Sequence, residues 1–471
     1  MIDFNEPTSY KTRPYLLMNN VANEKLTPEE AIEISSKSDK LFREMAKIVS
    51  SKKYIGGYSI EKEMSFYALR FIRTINDKVN QPDNIKFITL DGLSFEEVYM
   101  ITVFGREEVF NATFNGIFNH LEKSLATATP EYIENFISFP RFSVFIAICA
   151  NNNKLSKLFT YFSEDQKSRA VQSFVKNIGS VEGVFDEAVN VSETIANTSD
   201  PSIISLLQKN IKAEYIRCDS IQQPKCMVLY GILAGLIKEK VATDKQWFYD
   251  MSLRYPSGEL TTLKLSSMMN GSVLTERMYF YDDDDGRDSY VSFINTFRNK
   301  ENWRVEEYYA YAKVSSIKGT RIEIYANKPT LETSGDNAIS AILSENGYQP
   351  TVIIHRGHSF HTERTLERIP SSTKLLFLGS CGGFYKAAMG LKNAPEAHVI
   401  ATRQIGTKQI NDPLVFSINE AFRQGEDILW PTFWNTMKAQ LGSYSLFYDY
   451  VPPHKNIETL FQNAYYKTLG L

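Results

Sequence analysis

Histidine, cysteine and tryptophan are scarce in this chain: six, four and four among 471 residues. The cysteines sit at 149, 218, 226 and 381, with no CxxC pair, and a chain of this size needs no disulfide framework. Cys149, in FIAICA, and Cys226, at the head of an apolar run, read as inert core thiols. An excess of either charge is also missing. Lys and Arg number 52 against 55 Asp and Glu, for a net charge of −3, so no overall basic field points to nucleic acid or an anionic membrane. Long hydrophobic runs are absent as well. The longest nearly unbroken one, Cys226 to Ile237, is too short to span a bilayer and reads as a buried helix. The opening MIDFNEPTSYKTRP lacks the charged-then-apolar pattern of a signal peptide. The expectation is a cytoplasmic protein, or an exported one whose signal has been removed.

What is present is an ordinary globular composition, 43% hydrophobic and 23% charged, in a chain too long for one core. The first half reads as helical. Thr27-Pro28-Glu29-Glu30 combines an N-cap, a proline at the first helical position and a capping-box glutamate. Ser94 with Glu97, Thr129-Pro130-Glu131 and Asp200-Pro201 repeat that kind of signal. Apolar stripes at 3.6-residue spacing run from Val109 and Phe110 through Phe114, Ile117, Phe118, Leu121 and Leu125, and from Ile203 to Tyr215. Eight to ten helices are expected before about residue 245. Stacked hairpins suggest a HEAT-like array, although no repeat period emerges.

Residues 246–271, rich in Ser, Thr and Gly, read as a linker. From 272 to 471 the pattern alternates. Strand-like runs (RMYFY, a hairpin about Lys318-Gly319, TVII, KLLFL, HVIAT) are separated by amphipathic stretches, which predicts an α/β domain on a mostly parallel sheet. The overall expectation is a multidomain α and α/β chain: a helical domain at 1–245, a linker at 246–271 and an α/β domain at 272–471.

In such sheets, sites form beyond the carboxyl ends of the strands. TVII runs into HRGHSFH, which holds three of the six histidines (355, 358 and 361), and KLLFL runs into GSCGG with Cys381. A cysteine nucleophile needs a base within hydrogen-bond reach and an electropositive setting, here the start of a helix at about Phe384. Small neighbours (Gly379, Ser380, Gly382 and Gly383) would admit a substrate carbonyl and leave backbone N–H groups for an oxyanion.

These residues resemble the clan CD cysteine peptidases, the group of caspases, gingipains, clostripain, separase and CHAT-domain proteases. The similarity covers about 275–425 and rests on the two strand-end motifs and the strand order. The wording HRGHS and LGSCGG also resembles a group of uncharacterised bacterial proteins. The resemblance implies a caspase-like catalytic domain with a His358–Cys381 dyad and an oxyanion hole made by the N–H groups of Ser359 and Cys381. Ser359 stands where the family usually has glycine. It implies a protein or peptide substrate and no cofactor.

Other readings of the same residues stay open. Cys381 could be a small buried hydrophobe, and His355 could be the base in place of His358. His361 could cap the next helix. The three histidines could hold a metal, but their spacing matches no helix-borne motif, and no metal residue is assigned. Asp282 and Asp285, in the DDDD run at 282–285, are candidates for the substrate edge or a Ca²⁺ site, against a solvated turn. Arg403, Gln404, Asn411 and Asp412 lie beyond HVIAT at the same edge, and Asp412-Pro413 also fits a helix N-cap. An inactive caspase-like scaffold that binds a protein partner through its helical domain is the rival to a peptidase.

Overall fold

A computed structural model of the protein describes residues 17, 25–50, 58–176, 178, 184–258 and 260–470. The chain forms two compact units, one of residues 1–230 with 237–245 and one of 231–236 with 246–471. Among the described residues no strand precedes Thr262, and thirteen α-helices lie between Pro28 and Ile237, more and shorter than the sequence suggests. All four expected helix starts are present. Thr27 with Glu30 and Ser94 with Glu97 close capping boxes, Thr129 accepts from the Tyr132 N–H, and Asp200 accepts from the Ser202 N–H.

The helical unit is held by aromatic edges. The Phe136 ring meets Phe95, Tyr99 and Phe145 at 5.1, 5.6 and 5.6 Å, each edge-on as ring quadrupoles prefer. A buried polar seam adds an Arg106–Glu193 ion pair and a hydrogen bond from Arg106 to Asn190. One expectation is overturned here. Cys226 is not a free core thiol but is bonded to Cys218. The short turn between helices Pro201–Ser220 and Pro224–Ile237 brings the two α-carbons to 5.7 Å, a separation a disulfide can bridge. No single helix among the described residues is long and apolar enough to cross a membrane.

The second unit is mixed α/β. Its stretch 246–271, expected as a linker, carries helix Lys245–Arg254, which buries Phe248 and Met251, and a short helix Leu265–Met268. A nine-stranded sheet follows. Its main strands are β1 (Val273–Phe280), β2 (Trp303–Glu307), β3 (Tyr311–Ser316), β4 (Arg321–Asn327), β5 (Val352–Arg356), β6 (Leu375–Leu378), β7 (His398–Thr402) and β8 (Tyr450–Val451). The spatial order is β8-β7-β6-β5-β1-β4-β3-β2, with the two-residue strand Met269–Asn270 paired to β1. The five central strands, β7 to β4, are parallel, and β8, β3 and β2 are antiparallel additions.

Both faces of the sheet are covered, so its central strands are apolar on both sides. Alternate residues Leu274, Met278, Ile354 and Phe377 join one core under helices α1 (Asp284–Arg298) and α2 (Lys408–Arg423). Tyr279, Ile353, Leu376 and Leu378 join the other, under shorter helical segments. The two-residue side-chain period of a strand thus decides which layer each residue reaches.

One polar residue breaks the first core. Glu276, fully buried in β1, accepts a hydrogen bond from Asn419 Nδ2 of α2, while its Oε1 and Asn419 Oδ1 have no donor. Burial pushes its carboxyl up to about 8, only partly offset by the Asn419 hydrogen bond. The folded state therefore holds a proton that an unfolded glutamate, with a value of 4.5, releases. This stabilisation is complete below pH 4.5 and is lost as pH rises through about 8, a span worth on the order of 5 kcal/mol. Thermal melts of the native protein should fall steeply between pH 5 and 9. Glu276→Gln should flatten that profile and melt higher than the native chain at the alkaline end, and an unchanged slope would contradict the assignment.

Candidate active site

The parallel pairing of β5 with β6 sets the site. Val352, Ile353, Ile354 and His355 lie opposite Leu375, Leu376, Phe377 and Leu378. His358 and Cys381 are each three residues beyond the last of these pairs, so both emerge at the carboxyl edge of the sheet. In this sheet the strand order reverses between β1 and β5, the kind of position where open α/β sheets form clefts.

The three histidines diverge. His355, fully buried, faces the layer of Tyr281 and Thr365. Its Nε2 lies 3.3 Å from the His358 carbonyl, which can only accept, so Nε2 carries the proton. Nδ1 then accepts from Thr365 Oγ1 at 2.7 Å, and that hydroxyl in turn accepts from Tyr281. Burial, partly offset by the His358 carbonyl, lowers the His355 imidazole to about 3. Buried and neutral, it anchors the loop that carries His358.

His361 stacks on Tyr281, ring centroids 4.3 Å apart, with Nε2 3.1 Å from Asp283 Oδ2. The imidazole of His358 is exposed and stacks on the exposed ring of Phe360. Among the described residues no three His, Cys, Asp or Glu side chains converge in a way that would hold a metal ion.

In the acidic run, Asp282 and Asp284 pair with Arg287 on the surface, and Asp285 lies exposed in the first turn of α1. The residue that reaches the histidines is Asp283, which sequence reasoning passed over. Its Oδ1 caps α1 by accepting from the Gly286 N–H, and its other oxygen meets His361. Burial pushes its carboxyl up, but His361 and the Gly286 N–H together outweigh that and hold it below the usual range. Four aspartates in a row gave no signal as to which one turns inward.

Cys381 is not in a disulfide and is partly exposed, on a loop fastened from three directions. The Gly379 carbonyl accepts from Asn411 Nδ2 at 3.0 Å, the Ser380 carbonyl accepts from Thr402 Oγ1, and the Gly382 N–H donates to the Gln404 carbonyl at 2.9 Å. The glycines serve this packing more than substrate access. A Cβ on Gly379 would fall 2.3 Å from Asn411 Oδ1, and Gly382 has φ +65°. The expected helix at Phe384 is instead a 3₁₀ turn, Gly383–Lys386, followed by Ala387–Leu391.

The cysteine and histidine loops touch directly. Thr362 Oγ1 lies 3.3 Å from His355 Nε2 and 3.2 Å from Ser380 Oγ. Ser359, the second oxyanion candidate, is buried beside the exposed His358.

The remaining candidates make contacts within the fold. Arg403 donates its N–H to the Asp449 carbonyl and lies over the Phe384 ring, and Gln404 contributes the carbonyl already named. Asp412 is not an N-cap. Helix α2 already begins at Lys408, four residues earlier, and runs through Pro413. The side chain of Asp412 is buried against Arg356 and accepts from Ser292 as well. Arg356 follows His355 by one residue, so it faces the opposite layer, and its Nη2 has no hydrogen-bond partner among the described residues. The Tyr450 hydroxyl donates to Asn411 Oδ1 at 2.8 Å and lies within electrostatic reach of Arg356, Cys381 and Asp412.

Removing one member of the Arg356–Asp412 pair leaves the other charged and buried. Asp412→Ala should cost about 3–5 kcal/mol in urea unfolding, and a loss under about 1 kcal/mol would mean the pair carries little weight. No family model matches the chain, and no curated protein or solved structure matches it either.

Proposed function

We propose that this protein is a cysteine peptidase of the clan CD type, with a caspase-like catalytic domain. The observation that carries the reading is the contact between the loop after β5 and the loop after β6, through Thr362 and Ser380. It joins the histidine-bearing and cysteine-bearing segments at one edge of a parallel sheet, with the thiol partly exposed and the imidazole in solvent. The strand order, five parallel strands with an antiparallel one beside the last, supports the caspase-like comparison.

In this reaction the Cys381 thiolate attacks the carbonyl carbon of a peptide bond. The N–H groups of Ser359 and Cys381 stabilise the oxyanion. The C–N bond breaks as His358 protonates the leaving amine, and a thioester remains on Cys381. Water then attacks the thioester, giving a proton to His358, and the carboxylic acid departs as the C–S bond breaks and the Cys381 thiolate is restored beside the imidazolium. Asp283 and His355 position the histidine loop without touching the substrate.

Two measurements test the proposal. Iodoacetamide near neutral pH should label Cys381 well ahead of Cys149, which is buried and whose thiol burial holds far above its ordinary value. A diverse peptide library should be cleaved by the native protein. Cys381→Ala should abolish turnover, and His358→Ala should reduce it by roughly 10²–10⁴. Absence of turnover with every peptide and cation tried, or cleavage that survives Cys381→Ala, would overturn it.

A further inference from the structure

A cavity lies at the opposite edge of the sheet, where β6 and β7 begin. It encloses about 620 Å³, within the range of small-molecule sites. Lys374, just before β6, and His398, the first residue of β7, line it. Lys264 comes from the short segment before β1, and Asn463 and Lys467 come from the C-terminal helix Ile457–Leu469. Cys381 and His358 are not part of it.

Its chemistry is one-sided. Among the described residues three lysines line the cavity against one acid, Glu396, which pairs with Lys374 at 2.7 Å and also lies within electrostatic reach of Lys467. Lys264 and Lys467 make no hydrogen bond or ion pair with a described side chain, so the described lining carries a net excess of two positive charges. His398 adds a fixed donor. The Trp430 indole N–H can only donate, and it points at His398 Nδ1 from 2.8 Å, so Nδ1 is the acceptor and the imidazole proton sits on Nε2. The ring is 8% exposed, and burial, helped by Lys374, lowers it to about 4, which keeps it neutral. His398 lines the cavity, and its Nε2–H is a donor with no hydrogen-bond acceptor among the described residues. A ligand oxygen in the cavity could accept from it.

We infer that this cavity binds a small phosphorylated molecule, its phosphate held between Lys264, Lys374, Lys467 and the His398 Nε2–H. A phosphomonoester carries a charge near −2 at neutral pH, matching the excess on the lining, and offers three acceptor oxygens. The volume exceeds that of one phosphate, so the rest of the molecule would occupy space toward Asn463. This site is separate from the proposed peptidase reaction and stands whether or not Cys381 is active.

Titration calorimetry on the full chain tests it with three probes: inorganic phosphate, pyrophosphate and citrate. The expected result is saturable binding of phosphate or pyrophosphate with a Kd below about 1 mM, weakened at least about tenfold in Lys264→Ala/Lys467→Ala. Both lysines are exposed, so the double variant should fold, and an unchanged melting temperature without phosphate would verify it. Binding of citrate alone would overturn the phosphate assignment. No saturable heat from any probe, or equal affinity in the double variant, would overturn the site.

Discussion

The structure depends on one pairing, the parallel register between β5 and β6. Four residue pairs, Val352–Leu375 to His355–Leu378, are buried on both sides of the sheet. A slip of one residue would turn Ile353 and Leu376 into the opposite layer and send every following side chain to the wrong face. With the register fixed, the two loops leave the sheet side by side. No helix or long loop has to be arranged to bring histidine and cysteine to the same edge.

The end of β5 shows how the strand period is used. His355 turns into the layer of Tyr281 and Thr365, where its two nitrogens hold the loop that carries His358. Arg356, one step on, turns into the layer of α2 and meets Asp412. Two adjacent polar residues thus clamp the strand end from opposite faces, each by a different kind of bond. The exposed His358 sits on a support that is neutral on one side and ionic on the other. Mobility of the imidazole can then come from its own side chain while the backbone stays in place.

Much of this was legible because it follows local rules. The capping signals at Thr27, Ser94, Thr129 and Asp200 depend on a residue and its neighbours two or three positions away, and all four appear. The apolar runs marked the parallel strands, and their ends marked the edge where Cys381 and His358 lie. What escaped depended on contacts far apart in sequence. Asp412-Pro413 looks like a helix start, yet the helix begins earlier, because Asp412 is needed against Arg356, 56 residues upstream. The Thr362–Ser380 contact, the inward turn of Asp283 and the role of Thr402 left no pattern to read. The glycines beside Cys381 were legible as a close approach, but the approaching group is Asn411.

The two edges of the sheet also divide its polar chemistry. The carboxyl edge carries the thiol and imidazole, and the amino edge carries lysines around a histidine locked by Trp430. The account stands or falls on whether the carboxyl edge creates a thiolate–imidazole pair. The pH dependence of Cys381 alkylation, followed by mass spectrometry in the native chain and in His358→Ala, measures this most directly. The account predicts a midpoint below the ordinary thiol value of about 8.5 that rises when the imidazole is removed. A midpoint at or above that value, unmoved by the substitution, would contradict it.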